Sequence, residues 1–110
     1  MKSAEFHASV KKNLQDLPKD VRLTLGKAIF ALQLGKKLEM PLSKPMKEVG
    51  KGVEEIRVKD SSGIYGAFYL ARFEDKVLIF HLFKRKTQKT PQKDIELGKK
   101  RLKEMLDGNQ

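Results

Sequence analysis

Three short apolar segments in the second half of the chain constrain its fold more than any other feature. They read VEEIRVK over 53–59, GIYGAFYLAR over 63–72 and KVLIFHLF over 76–83, and each is rich in β-branched or aromatic residues. The breaks between them, at 60–63 and 74–75, are short and polar, which is typical of hairpin connections. The sequence therefore predicts an antiparallel meander of three strands.

The first 36 residues are predicted to be mainly helical. SAEFHA could form a short edge strand before a first helix over about 8–16. Pro18 fits the first position of a second helix, in which apolar residues recur at helical spacing until Gly35 ends the pattern. These two helices would form a helical hairpin.

The C-terminal segment predicts one more helix, over about 91–107. Thr90 is a plausible N-cap and Pro91 suits the first helical position. Residues 36–52 contain two prolines and two glycines and are predicted to be a loop. The fold class is therefore α+β, in a single domain over 1–110. An N-terminal helical hairpin packs on an antiparallel sheet of three to four strands, followed by a C-terminal helix. We expect the helices to lie on one face and to leave the other at least partly open.

The balance of charge points to an anionic partner. The chain has 24 Lys and Arg against 14 Asp and Glu, giving a net charge of +10. Such an excess favours nucleic acid, an acidic protein or an anionic membrane as the partner. The chain contains no Cys, and His7 and His81 are too few for a metal cluster, so we expect no cofactor. With no visible signal peptide and no apolar run long enough to span a bilayer, we expect a cytoplasmic protein without a membrane partner.

The positive charge is most concentrated in HLFKRKTQKTPQKD, residues 81–94. Ten residues of this segment, 84–93, contain five cations and no acid; the cations are Lys84, Arg85, Lys86, Lys89 and Lys93. They follow the third strand, so their side chains should fan over the end of the sheet, where they could contact phosphates. A solvated surface without a ligand is an equally good interpretation.

Alternation along the strands places the neighbouring side chains. It puts Leu78, Phe80 and Leu82 on one face of the third strand and Ile79, His81 and Phe83 on the other. Both faces are substantially apolar, so alternation does not decide which face the helices cover. Aromatic rings near the cations could stack on unpaired bases. The rings are those of Tyr65, Tyr69 and Phe83, and Arg57 on the first strand could join the same surface. The simpler alternatives are core or rim tyrosines and a half-buried strand histidine.

The order of these motifs resembles that of the HigB-like toxins in the RelE/ParE superfamily, including related phage-derived proteins. In that family a Y-R-x-x-Y strand precedes an apolar strand, a segment of the form h-x-F-x-K-K-t-x-K-t-P and a Lys-rich helix. The counterparts here are the stretch from Tyr65 to Tyr69, the stretch from His81 to Pro91 and the helix after it. The likeness extends over roughly 14–106.

The resemblance implies a RelE-like fold and the toxin of a type II toxin–antitoxin pair. Such toxins resemble metal-independent RNases that cut mRNA on the ribosome, and a helix-turn-helix (HigA-like) antitoxin neutralises them. The partners would then be this antitoxin, the ribosome and mRNA. The implied catalytic residues are Lys84, Arg85 and Lys86, with His81 as an alternative acid or base. The implied nucleic-acid contacts are Arg57, Tyr65, Tyr69, Arg72, Lys89 and Lys93.

The chemistry of metal-free RNA cleavage suits these residue types. The 2′-hydroxyl attacks the adjacent phosphorus, a base removes its proton, an acid protonates the leaving 5′ oxygen, and cations stabilise the phosphorane. A lysine can act as the base only after it loses a proton, and crowded cations favour that loss. Arg85 would stay charged and hold phosphate. We expect Lys84, Arg85 and Lys86 to be exposed, so that alanine substitutions relieve growth inhibition at little cost in stability.

One position departs from the family pattern. Gly66 stands where the family has the arginine of Y-R-x-x-Y. Arg57 or Arg72 could replace that arginine, and Gly66→Arg is expected to strengthen toxicity. Two alternatives to RNA cleavage stay open at this point. One is a ParE-like inhibitor of DNA gyrase, and the other is a non-catalytic, nucleic-acid-binding phage-derived protein.

Overall fold

Residues 1–108 form five strands and three helices in this computed structural model, which describes that part of the chain. In chain order they are β1 (Ser3–Phe6), α1 (Ala8–Leu14), α2 (Lys19–Gln33), β2 (Ser43–Pro45), β3 (Glu54–Asp60), β4 (Gly63–Leu70), β5 (Lys76–Arg85) and α3 (Gln92–Asp107). None of the helices within 1–108 is long and apolar enough to cross a membrane.

The predicted antiparallel meander of β3, β4 and β5 is confirmed and forms the centre of the sheet. The sheet has five strands in the order β1-β5-β4-β3-β2, so the predicted count of three to four was too low. The predicted loop over 36–52 contributes β2 at one edge, and β1 forms the other edge. β1 pairs in parallel with β5, so the sheet is mixed. A long connection separates β1 from β5, so no hairpin forces them to be antiparallel.

A β-bulge interrupts the alternation of β5. His81 pairs with Phe68 while Ile79 pairs with Tyr69, which leaves Phe80 as the extra residue. Leu78 and Phe80 pack in one core cluster, whereas Ile79 and Leu82 pack in the other. The predicted grouping of Leu78 and Phe80 with Leu82 was therefore wrong, because an inserted residue reverses the facing of every residue beyond it.

The two faces of the sheet are both covered. On the first face, α1 and α2 pack on a cluster that includes Ile56, Ala67 and Tyr69. On the second, α3 and the segment 46–53 pack on a cluster that includes Phe68. The expectation of an open second face was wrong, since β4 is buried almost throughout and apolar surface on both faces has to be covered.

The predicted helices are present with shifted ends. α1 and α2 form the N-terminal helical pair, and Pro18 is the N-cap of α2 rather than its first residue. Pro91 is the N-cap of α3, and no side chain caps that end of the helix. Thr90, the predicted N-cap, instead donates a hydrogen bond to Glu55 on the sheet. Its hydroxyl is therefore part of the connection between the sheet and the segment after β5.

Candidate nucleic-acid interface

A fully buried carboxylate lies at the base of the predicted cationic surface. Glu55 is 0% exposed, and its side chain points to the face covered by α3. Its carboxylate accepts hydrogen bonds from Arg85 Nη1, from Arg57 Nε at 3.3 Å and from Thr90 Oγ1 at 3.0 Å. Buried ions need compensating partners of this kind, because desolvation costs several kcal/mol per ion. Glu55 therefore joins β3 to the end of β5 and to the start of α3.

The segment 85–90, called the basic loop below, is closed at both ends on this carboxylate. Arg85 binds Glu55 at the start of the loop and Thr90 binds it at the end. Inside the loop, Arg85 Nε donates to the carbonyl oxygen of Thr87 at 2.9 Å. Lys86, Thr87, Gln88 and Lys89 are exposed between these anchors. The loop is thus a short exposed segment whose two ends are both bound to the buried Glu55 carboxylate.

The predicted exposure of Arg85 was wrong. The residue is only 4% exposed, whereas Lys84 and Lys86 on either side of it are exposed as predicted. Its guanidinium forms one of the two ion pairs of Glu55, so holding a phosphate instead would leave the buried carboxylate with only Arg57 and Thr90 as partners. Sequence reasoning did not select Glu55 or Thr90 as site residues, because the bonds from Arg85 and Thr90 to Glu55 join residues at least 30 positions apart.

Gly66 occupies a position where a side chain does not fit. It pairs with Arg57 on one side and with Phe83 on the other. A Cβ atom at this position would overlap Glu55 Oε2 and lie 2.7 Å from Phe83 Cζ. The expectation that an arginine could be restored here was therefore wrong, since the space above Gly66 is taken by the Glu55 carboxylate and the Phe83 ring.

His81 is buried, with partners on both ring nitrogens. It is 2% exposed, its Nε2 lies 2.8 Å from Asp94 Oδ1, and its Nδ1 contacts Arg101 Nη1. Arginine can only donate, so Nδ1 accepts and the proton is on Nε2, which donates to Asp94. Burial lowers the pKa of His81, the hydrogen bond with Asp94 opposes this shift and the charge of Arg101 adds to it. The neutral ring joins β5 to α3, and this geometry gives no support to its predicted role as an acid or base.

The two tyrosines do not offer their ring faces to a ligand. Tyr65 is 8% and Tyr69 3% exposed, and both pack in the core beneath α1 and α2. The Tyr69 hydroxyl lies 2.6 Å from Ser43 Oγ, and burial raises the pKa of Tyr69 to about 12. The predicted stacking of bases on these rings was wrong, and the simpler interpretation as core residues is confirmed. Lys84 Nζ lies 5.3 Å from the centroid of the Tyr65 ring.

The cations that do converge surround two adjoining hollows at the end of the sheet. One hollow, of about 350 Å³, is lined by Pro41, Leu42, Arg57, Lys59 and Gln88. The other, of about 390 Å³, is lined by Lys59, Lys86, Gln88 and the β3–β4 hairpin. They share Lys59 and Gln88, which sequence reasoning did not select as site residues. Alternation could have found Lys59, since it lies two residues after Arg57 on the same strand and so faces the same way.

The remaining predicted residues lie apart from these hollows. Lys84 lines a separate hollow with Asn13 and Asp16. Arg72 follows the far end of β4, whose eight residues span roughly 25 Å, so it does not join the basic loop. Lys89, in the loop, and Lys93, in the first turn of α3, are exposed. The candidate interface therefore consists of Arg57, Lys59, Lys86 and Gln88, which line the two hollows.

The family of the chain is shown by its match to a family model. The model described as Phage derived protein Gp49-like (DUF891) matches residues 12–103. No curated protein matches the chain. The matched residues include β2 to β5, α2, the basic loop and most of α3. The chain belongs to the family of Gp49-like phage-derived proteins.

Proposed function

We propose that this protein is the toxin of a type II toxin–antitoxin pair and that it acts on RNA, as a metal-independent, ribosome-dependent mRNA endonuclease. Membership of the Gp49-like family is consistent with a toxin-like protein. The observation that carries the proposal is the convergence of Arg57, Lys59 and Lys86 around two adjoining hollows. Phosphate groups are the anions that such a cluster of cations suits best.

The two hollows offer an RNA strand apolar and hydrogen-bonding contacts as well as positive charge. Pro41 and Leu42 add apolar surface to the hollow lined by Arg57, against which a sugar or base can pack. Gln88 supplies an amide that can donate and accept hydrogen bonds. Asp60 is the one acid in the lining, and its carboxylate accepts two hydrogen bonds of 2.7 Å from Ser62. These bonds lower the pKa of Asp60, which stays ionised within the turn.

Cleavage would use the groups that the structure leaves accessible. Arg57 is fixed by Glu55 through Nε and would stabilise the charge on the phosphorane. Lys86, exposed on the basic loop, is the residue we assign to removing the 2′-hydroxyl proton as that oxygen attacks phosphorus, and solvent in the open hollow supplies the proton of the leaving 5′ oxygen. Arg85 is committed to Glu55 and His81 to Asp94 and Arg101, so neither takes part.

Non-catalytic RNA binding is the second candidate function. It is favoured by the burial of His81, the residue near the basic loop whose ordinary pKa lies closest to neutrality. Without it, proton transfer depends on lysine side chains, whose ordinary pKa is about 10.4. Binding to the ribosome or to mRNA without cutting would also inhibit translation.

Inducible expression of the chain, followed by mapping of transcript ends, tests the proposal. We expect growth arrest and new mRNA ends that appear only during translation. Lys86→Ala and Lys59→Ala should relieve both effects. Lys103→Ala removes another exposed cation, from α3, where it pairs with Asp107 at 3.6 Å, and should change neither. Growth arrest with intact transcripts would reject cleavage in favour of binding alone, and arrested DNA replication with intact transcripts would point to gyrase.

A further inference from the structure

Helix α2 carries an apolar stripe that the fold leaves uncovered. Leu23, Phe30 and Leu34 are 53%, 51% and 49% exposed. Their spacings of seven and four residues place them on one side of the helix. Isolated exposed apolar residues need no explanation, but three that are aligned on one helix face form a patch.

A groove next to this stripe extends the apolar surface to the edge of the sheet. Its volume is about 320 Å³, and its apolar lining consists of Ala4, Phe6, Leu14, Leu25 and Ile29. At 100° per residue, Gly26 lies on α2 between the groove and the stripe. A Cβ atom added at Gly26 would have no atom within 4 Å, so a side chain can be introduced at this position beside the groove. The groove and the stripe together are called the α2 surface below.

The strand that borders the groove, β1, has an open outer edge at Ala4 and Phe6, whereas Lys2 just before it is bonded to Gln33 of α2. Ser3 N and His7 N donate to Asp75 O and Ile79 O of the β5 side. The alternation of a parallel ladder therefore turns the backbone N–H and C=O groups of Ala4 and Phe6 away from β5. These groups can pair with the backbone of another polypeptide.

The charge around the α2 surface selects the kind of polypeptide. The exposed positions of α2 carry three cations, Lys19, Arg22 and Lys27, against one acid, Asp20. A second copy of this chain is a poor occupant, because each copy carries a net charge of +10. RNA would satisfy the cations but would leave the apolar stripe and the strand edge uncovered.

We propose that the α2 surface binds an acidic polypeptide segment whose apolar side chains enter the groove beside Gly26. The inference goes beyond RNA binding, and it rests on the proposed function in one respect. A toxin needs a neutralising partner, and this surface is where we place it. The hollows around Arg57 and Lys86 are lined by none of the residues of the α2 surface, so the two surfaces can be tested separately.

Substitutions at Gly26 provide a matched test. Gly26→Glu and Gly26→Lys both introduce a side chain beside the groove, at a position where its Cβ atom has no neighbour within 4 Å, and replacing a helical glycine does not cost helix stability. The chain is expressed with and without the product of the neighbouring gene, and the affinity of the purified pair is measured by titration calorimetry. Alone, both variants should arrest growth as the unmodified chain does. With the partner, Gly26→Glu should bind at least about tenfold more weakly and escape rescue, and Gly26→Lys should be affected less. Leu106→Glu alters an equally exposed apolar residue on α3 and should be rescued normally.

The outcomes separate this inference from the proposed function. Normal rescue of Gly26→Glu, or equal effects of glutamate and lysine, would overturn the inference while the toxin assignment stands. Dimers of the unmodified chain alone that Gly26→Glu disrupts would assign the surface to a second copy and would also overturn it. An unmodified chain that does not arrest growth, or that the neighbouring product does not rescue, would refute the proposed function and with it the partner inferred here.

Discussion

Glu55→Gln should destabilise the fold strongly, although it changes one atom of the side chain. The substitution keeps the volume but replaces one carboxylate oxygen by an NH₂ group that can only donate. Three donors point at this carboxylate, from Arg85, Arg57 and Thr90. One of them would face another donor, and the guanidinium of Arg85 would lose its counter-charge while it stays buried.

The expected cost is a large share of the total stability. Breaking a buried ion pair by removing one partner costs about 3–5 kcal/mol, against roughly 5–15 kcal/mol for the unfolding of a domain of this size. Arg57 adds less, because its side chain is 14% exposed and water can reach it. With a urea m-value of about 1.5 kcal/mol/M, a loss of about 4 kcal/mol lowers the unfolding midpoint by more than about 2 M.

Urea unfolding followed by circular dichroism measures this effect, and a double variant provides the control. Glu55→Met combined with Arg85→Met replaces the pair by apolar side chains and should be at least about 2 kcal/mol more stable than either single variant. A midpoint for Glu55→Gln within about 0.5 M of the unmodified chain, or a double variant no better than the singles, would refute the reasoning. If it holds, loss of toxicity in Arg85→Ala reports unfolding rather than catalysis.

Three further predictions test other parts of the site. Gly66→Arg should lower the unfolding free energy by at least about 3 kcal/mol and should not raise toxicity. Gly26→Ala, in open space, should raise the unfolding free energy by about 0.5–1 kcal/mol. Equal urea midpoints for the two variants would contradict the packing argument. Because the pKa of His81 is lowered in the folded state, the unfolded chain binds the proton more readily, so stability should fall as the pH drops from 7.5 through 6.5, by at most about 1.4 kcal/mol per pH unit. His81→Gln should flatten that part of the pH profile, and an unchanged profile would be the contrary result. Lys86→Ala should reduce the salt dependence of binding to single-stranded RNA by about 0.7 in the slope of log K against log salt, and Lys103→Ala should leave the slope unchanged.

The central meander was predictable because its determinants are local. Short apolar segments and hairpin breaks specify β3, β4 and β5 from neighbouring residues alone. The pairing of β1 with β5 joins residues more than 70 positions apart, for example Ser3 with Lys76, and leaves no local signal. The bulge at Phe80 was hidden for another reason. Both faces of β5 are apolar, so one inserted residue does not disturb the hydrophobic pattern.

In the candidate site, the exposure of a side chain was predictable only where it does not depend on a partner far away in the sequence. Exposure of Lys86 follows from its place in a polar segment after a strand. Burial of Arg85 does not, since it depends on Glu55, which is 30 positions away. The acid itself was visible as one of two consecutive glutamates in an apolar strand, VEEIRVK, where alternation places one of them on the same side as Arg57. A charged residue that alternation directs into a core is a reason to look for a buried counter-ion.

The three consecutive cations Lys84, Arg85 and Lys86 therefore differ in their surroundings. Arg85 forms a buried ion pair, whereas the two lysines are exposed. Arginine suits the buried position because its planar guanidinium can donate from Nη1 to Glu55 and from Nε to the Thr87 carbonyl at the same time. A lysine ammonium has a single nitrogen and could not span both acceptors in this geometry. The flanking lysines are exposed to water, where an incoming polyanion could reach them. Because the Glu55 carboxylate binds Thr90 as well as Arg85, it fixes both ends of the loop that carries Lys86. Burial of one cation thus fixes the backbone that carries Lys86, so a ligand bound at this loop would cost little further conformational entropy.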